Sequence, residues 1–383
     1  MPISPELREM VQRLVGTPSV SSALPQFDQS NQGVVDTLAN WLEPLGCKVD
    51  ITPIEGHPGK SNLIATLGTG SGGLVLSGHT DTVPFDEHLW QSDPFELTER
   101  HDRWYGLGSC DMKSFFALVI EAMKPYVGAN FRRPLALLAT ADEESSMSGA
   151  RALKAAQLCD AKFAVIGEPT SIRPVRRHKG IMMLSLTVTG SSGHSSNPDL
   201  GHNALDTMPG LMGELLAFRD RLRSQHRNIA FEVDYPTLNL GCIHGGDNPN
   251  RICDHVELDF DVRVLPGMDN REIMKAIEDR LCGTPRTAGV DARLNLLFPF
   301  VQPFESSGDE LARVLQKLTG CEPGGVAFAT EAPFLTELGM ETIVLGPGSI
   351  DQAHQPDEFI ELHQLEPTIA IIRRLIEKYC LAE

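Results

Sequence analysis

The chain has 383 residues, 41% hydrophobic and 22% charged, with a formal net charge of -18 at pH 7. That length exceeds what one hydrophobic core usually supports and predicts two domains, while the acidic balance argues against nucleic acid, whose binding needs Lys and Arg to neutralise phosphates. No apolar run approaches the roughly 20 residues of a membrane span, so a cytoplasmic protein acting on a small solute is expected, with no membrane partner.

In chain order, the opening "MPISPELREMVQRLVGTPSV" is an amphipathic helical pattern carrying acids, not a signal peptide. Four short apolar runs then read as buried strands of a mostly parallel sheet flanked by helices: "LVLSGHTD" from Leu74, "PLALLATADEE" from Pro134, "FAVIGEPT" from Phe163 and "ETIVLGPG" from Glu341. A helical pattern such as Met112 to Met123 lies between them, as in an α/β domain. Each run ends in an ionisable or glycine-rich segment, and ligands of open parallel sheets sit at those carboxyl ends.

From 178 to 300 the pattern changes. "IMMLSLTVTG", a helix around Pro209, "PTLNLGCI", the strictly alternating "HVELDFDVRV", a helix from about Met268 to Cys282 and "ARLNLLFPF" give the order βαββαβ, an α+β ferredoxin-like unit. The α/β pattern resumes with "DELARVLQKL". Residues 1–177 and 301–383 are therefore expected to form one domain, with 178–300 inserted into it. The eight cysteines are dispersed, without a CxxC, and read as reduced and mostly structural.

Candidate site residues gather at the strand ends and adjoining loops: His79, Asp111 in "GLGSCDMK", Glu143 and Glu144 in "TADEESS", Glu168 in "IGEPT" and His354 in "GSIDQAHQPDE". Two imidazoles and several carboxylates without thiolate suit zinc or its divalent neighbours, and five ligands point to two ions sharing one carboxylate. Of two adjacent acids, one can coordinate while the other stays free as a base. Asp81, two residues beyond His79, is placed to accept the other ring N–H of that histidine. Singly, each of these residues has an ordinary structural explanation, such as a turn or a helix start; together they fall where the architecture predicts a site.

"GHTDTVP", "YGLGSCDMK", "ADEES", "GEPT" and "AHQPDE", in that order and around an inserted small domain, resemble the dinuclear zinc aminoacylase and carboxypeptidase family over essentially the whole chain. The resemblance implies a zinc-exopeptidase-like catalytic domain and an inserted lid that also forms a homodimer. It implies two divalent metal ions, most often zinc with cobalt possible. Asp111 would bridge them, His79 and Glu168 would hold one ion, Glu144 and His354 the other, and Glu143 would be the base. "YPTLNLGCIHGGDNPNRIC", "ATEAPF" and "LGPGSIDQAHQPDEF" look most like the branch that hydrolyses N-acetyl-L-ornithine to L-ornithine and acetate in arginine biosynthesis.

Further roles follow from the resemblance. His194 in "GSSGHSSNP" matches a histidine that reaches the partner subunit's active site and stabilises the oxyanion; its alternative is a loop histidine bonded within its own turn. Asn250, Arg263 and Thr330 match positions near the substrate carboxylate, with Arg251 a competing choice to Arg263, and Glu331 is a charge-based candidate for the side-chain ammonium. Cys110, beside the bridging acid, reads either as a packing variant or as an oxidation-sensitive position. Rival readings are a succinyl-diaminopimelate desuccinylase, another N-acyl amino acid deacylase, a peptidase of the same family acting on di- or tripeptides, and a non-catalytic scaffold.

Overall fold

The computed structural model describes residues 4–284 and 288–381. The first three residues of the opening pattern and 285–287 of the 178–300 segment lie outside the described residues. The chain packs as two compact units: Met1–Arg176, Ser306–Gly324 and Thr330–Glu383 form the first, Arg177–Glu305 and Gly325–Ala329 the second. The second unit extends past residue 300 because Val301 bridges Ile181 and Phe304 pairs with His178. It takes in 325–329 because the Lys179 amide bonds to Val326 O.

In the first unit the four expected strands are real and adjacent. Leu135–Thr140, Leu74–His79, Phe163–Ile166 and Glu341–Val344 lie side by side, all parallel. Their residues are almost entirely buried, which is why they read as unbroken apolar runs. The margins are antiparallel: Ser61–Leu67 pairs with Leu135–Thr140, and Lys48–Pro53 with Ser61–Leu67. Helices Pro5–Val15, Lys113–Met123 and Leu365–Ile376 bury their apolar faces in one core with these strands. The opening helix is started by Pro5 and capped by Ser4, whose hydroxyl accepts the Leu7 amide.

Parallel register brings the strand ends level: His79 is opposite Thr140, and Ser77 opposite Ile166. His79, the Glu143–Glu144 pair and Glu168 therefore leave the sheet at one edge. Gly167 permits this, since a Cβ there would overlap the Phe115 ring. A small three-stranded sheet pairs Phe359–Glu361 with Arg103–Tyr105, drawing the segment after His354 against the one before Asp111.

The second unit is a four-stranded antiparallel sheet in the order Thr237–Gly245, His255–Val264, Gly180–Thr189, Asp291–Leu296. Helices Ala204–Gln225 and Asn270–Gly283 join those strands in the ferredoxin-like order. The alternation in "HVELDFDVRV" is literal, with Val256, Leu258, Phe260, Val262 and Val264 buried in this unit's core. The long helix runs through Pro209, its sixth residue.

Candidate metal centre

Every residue expected to hold metal lies in the first unit. His79 ends its strand at 1% exposure, with Nε2 3.1 Å from Asp111 Oδ1 and 3.9 Å from Glu168 Oε2. His354 lies on the loop after the Glu341–Val344 strand, with Nε2 3.1 Å from Glu144 Oε2 and 3.8 Å from Asp111 Oδ2. Asp111 thus turns one carboxylate oxygen towards each histidine. Ligand atoms of His79, Asp111 and Glu144 lie within 4.8 Å of one another, and so do those of His79, Glu143 and Glu168. Such an arrangement fits two divalent ions: each histidine has a carboxylate of its own, and the two share a third.

Asp81 differs in detail from the expectation. The chain leaves its extended geometry straight after His79, and His79 Nδ1 lies 3.0 Å from the Asp81 backbone oxygen against 3.6 Å from its carboxylate. The carboxylate instead accepts two amides, from Glu143 at 3.2 Å and Glu144 at 3.0 Å. One residue therefore orients the ring of one ligand and fixes the backbone of the glutamate pair.

Electrostatics follow from crowding acids in a buried space. Burial, then the charge of Glu168, pushes the Glu143 carboxyl well above its ordinary range. Burial and Asp111 do the same to Glu168, and in lesser degree to Glu144. Burial opposes ionisation of Asp111, but the two histidines outweigh it and hold that carboxyl low. Burial also opposes the charge on His79, yet Asp111 and Asp81 hold it well above the ordinary imidazole value. Glu144 raises His354 to about 9. Without metal, these histidines carry the positive charge that divalent ions would otherwise bring.

Two further acids stand here: Glu358, which escaped the sequence reading, and Glu331, a candidate by charge alone. Glu358, four residues after His354, accepts the amides of Cys110 (2.7 Å) and Asp111 (2.9 Å) on one oxygen and Gly108 (3.0 Å) on the other. It thereby ties the bridging acid to the loop of His354; its place in "QPDE" was the available signal. Burial raises it to about 8. Glu331, at 1% exposure, accepts from Thr140 Oγ1 at 2.9 Å, has no partner for Oε1 among the described residues, and is raised by burial to about 7.

The remaining candidates have local hydrogen-bond partners. Thr330 is buried, and its hydroxyl accepts the Ala332 amide at the start of a short helix, Ala332–Glu337. In the second unit, His194 pairs with Arg251, and the neighbouring Ser195 amide bonds to Asn250 O. His194 Nδ1 accepts the Ser196 amide at 3.2 Å, which leaves the ring proton on Nε2. Arg263 Nε bonds to Asp261 at 2.9 Å. Cys110 is buried, with its thiol pushed well up by burial, which is the packing alternative; all eight cysteines are free.

Comparison with known proteins places this geometry. Residues 75–378 match Peptidase family M20/M25/M40. The chain belongs to that family. Among other members, the acetylornithine deacetylase of Proteus mirabilis is 46% identical over 99% of this chain and 98% of its own length, and that of Photorhabdus laumondii is 45% identical over the same shares. An M20 family metallo-carboxypeptidase from Sulfolobus solfataricus shares the fold with a TM-score of 0.74 at 17% identity, covering 98% of this chain and 99% of that one. As an M20 protein the chain is a metal-binding hydrolase of a small-molecule substrate. No helix among the described residues is long and apolar enough to cross a membrane.

Proposed function

We propose that this chain hydrolyses N-acetyl-L-ornithine to L-ornithine and acetate, a step of arginine biosynthesis in the cytoplasm. The observation that carries the reading is the Asp111 carboxylate with an oxygen turned to each of two histidines, beside a separate glutamate pair. The substrate follows from the relatives described as acetylornithine deacetylases, which are similar over the full chain.

His79, Glu168 and Asp111 would hold one ion, Glu144, His354 and the same Asp111 the other, with zinc or cobalt the metals such donors suit. When bound, the ions lower the pKa of a nearby water and polarise the amide carbonyl. Glu143 takes a proton from that water at its carboxylate and returns it to the leaving amine. Asp81 keeps that carboxylate in place through the Glu143 amide.

The chain would act as a homodimer through the second unit, with His194 of one copy serving the other copy's site. Its Nε2–H is a donor suited to the oxyanion. Asn250, Arg263 and Thr330 would take the substrate carboxylate, since the Thr330 hydroxyl, accepting the Ala332 amide, keeps its own proton to donate and Arg263 binds Asp261 through Nε.

The purified protein, loaded with zinc or cobalt and then chelated, is to be assayed on N-acetylornithine, N-succinyl-diaminopimelate, N-acetylmethionine and a dipeptide. Chelator-sensitive turnover fastest on N-acetylornithine is expected. A different leading substrate would overturn the substrate assignment; no turnover of any with metal bound would overturn the enzyme reading.

A further inference from the structure

Glu143 and Glu144 are consecutive and both approach His79, yet Glu143 groups with Glu168 while Glu144 groups with Asp111 and faces His354. Two neighbouring side chains can serve two positions only if the backbone before them is fixed in direction. That backbone is Asp142, which stands in the left-handed region at φ 58 and is 2% exposed. A non-glycine residue holds such a conformation only where its surroundings impose it.

The surroundings are elaborate. Lys60, 3% exposed just before the strand Ser61–Leu67, places Nζ 2.7 Å from Asp142 Oδ1 and 2.8 Å from Asp28 Oδ1. Ser21 Oγ donates to Asp142 Oδ1 at 3.0 Å, Ser148 Oγ donates to Oδ2 at 2.9 Å, and His57 Nδ1 lies 3.3 Å from Oδ2. Asp142 O accepts the amides of Ser146 and Met147. Asn62 closes the same turn from both sides, accepting the Ala141 amide at 3.1 Å and donating to Gly149 O at 2.8 Å.

A buried ion pair is a poor source of stability, since desolvating both charges offsets most of their attraction. What a lysine clamped between two aspartates does supply is direction. It also offsets part of the negative charge of Asp142, which directly precedes Glu143 and Glu144.

We propose that Lys60 and Asp142 are a positioning pair for the catalytic turn, setting the orientation from which Glu143 and Glu144 reach their separate partners. The inference rests on the function proposed above for those glutamates. Neither Lys60 nor Asp142 touches the reacting atoms; both act through the turn.

The test uses the metal-loaded enzyme with Lys60→Met, Lys60→Arg and Asp142→Asn. Asparagine tolerates the left-handed conformation, so the last variant removes the charge that Lys60 clamps without adding backbone strain. Lys60→Met and Asp142→Asn should lower kcat about 10- to 100-fold, the scale of an ångström-level misplacement, with KM changed less than about twofold. Metal content at saturation should stay that of the wild type, and the visible absorption of the cobalt-loaded variants should shift as Glu144 moves. Lys60→Arg, which keeps the charge, should recover to within about threefold of wild-type kcat.

Variants that melt earlier yet keep wild-type kcat and an unchanged cobalt spectrum would overturn the proposal, because the pair would then serve stability alone. Activity lost in proportion to lost metal would also overturn it. Should Lys60→Met fail to fold, Asp142→Asn decides. Should wild-type enzyme turn over none of the acylated amino acids, the functional reading fails, while the cobalt spectra still test whether the pair sets the position of Glu144.

Discussion

The two halves of the metal centre are built differently. His79 ends a strand buried on both faces, with its ring held by the Asp81 backbone on one side and facing Asp111 and Glu168 on the other. His354 rides on a loop, in a left-handed conformation at φ 60, with a side chain 54% exposed. One ligand is placed by the fold before any ion arrives; the other keeps freedom that binding must remove. Ordering an exposed loop costs binding free energy that a packed strand end does not, so the halves should differ in affinity although their donors are alike.

The largest effect expected comes from Glu143, which the contrast assigns to the His79 half. Glu143→Ala should leave metal content intact and cut kcat about 10²- to 10⁴-fold, the range for loss of a general base. Measuring metal per chain beside turnover separates base from ligand: an ion lost with folding preserved would make Glu143 a ligand. Glu144→Ala should instead lose the ion of the His354 half.

Next come the histidines. His79→Ala removes the nitrogen ligand of the buried half and should abolish the tight step, leaving only the weaker one. His354→Ala should keep one tight equivalent and weaken only the second. Calorimetric titration of chelated protein with zinc reads both, and wild-type protein should show a tight step before a weaker one. Equal affinities in the wild type would break the comparison, because they would mean that burial and strand placement confer no advantage.

How much of this was legible in the sequence follows the same division. The four parallel strands could be read because a strand buried on both faces must be apolar along its length, so its polar end stands out. Antiparallel margins were missed: the outer strand Lys48–Pro53, paired with Ser61–Leu67, is largely exposed and buries no residue, which blurs its pattern. Metal candidates were visible as residue types at strand ends. Glu358, Lys60 and Asp142 were not singled out, since their partners lie far along the chain. Glu358 reaches Asp111 across 247 positions, and no local spacing encodes that contact.

A smaller effect concerns pH. In metal-free protein, Glu331, Glu358 and His354 sit at about 7, 8 and 9 against ordinary values of 4.5, 4.5 and 6.5. Each therefore binds more protons folded than unfolded. The resulting contribution is intact below the ordinary value and is lost as pH rises through the folded one, so chelated protein should melt at lower temperature at pH 8 than at pH 5. Metal binding requires the same histidines to lose their protons, so ion affinity rises with pH and loaded protein should oppose the trend. Melting curves at both pH values, with and without zinc, check this; parallel curves would mean that the site's protons do not govern its stability.

The smallest effect is expected where the two halves meet. Glu358 accepts three amides around Asp111 and follows His354 by four residues, so it serves the shared ligand and not one half. In Glu358→Gln one acceptor oxygen becomes an NH2 facing a backbone donor, at a cost of about 1–3 kcal/mol for a buried unsatisfied pair. Both zinc affinities should then fall together, by a similar factor, with the tight-before-weak order preserved. If only the weaker ion were lost, Glu358 would be acting through its own loop on His354, and the Asp111 bridge would be held firmly enough by His79 alone.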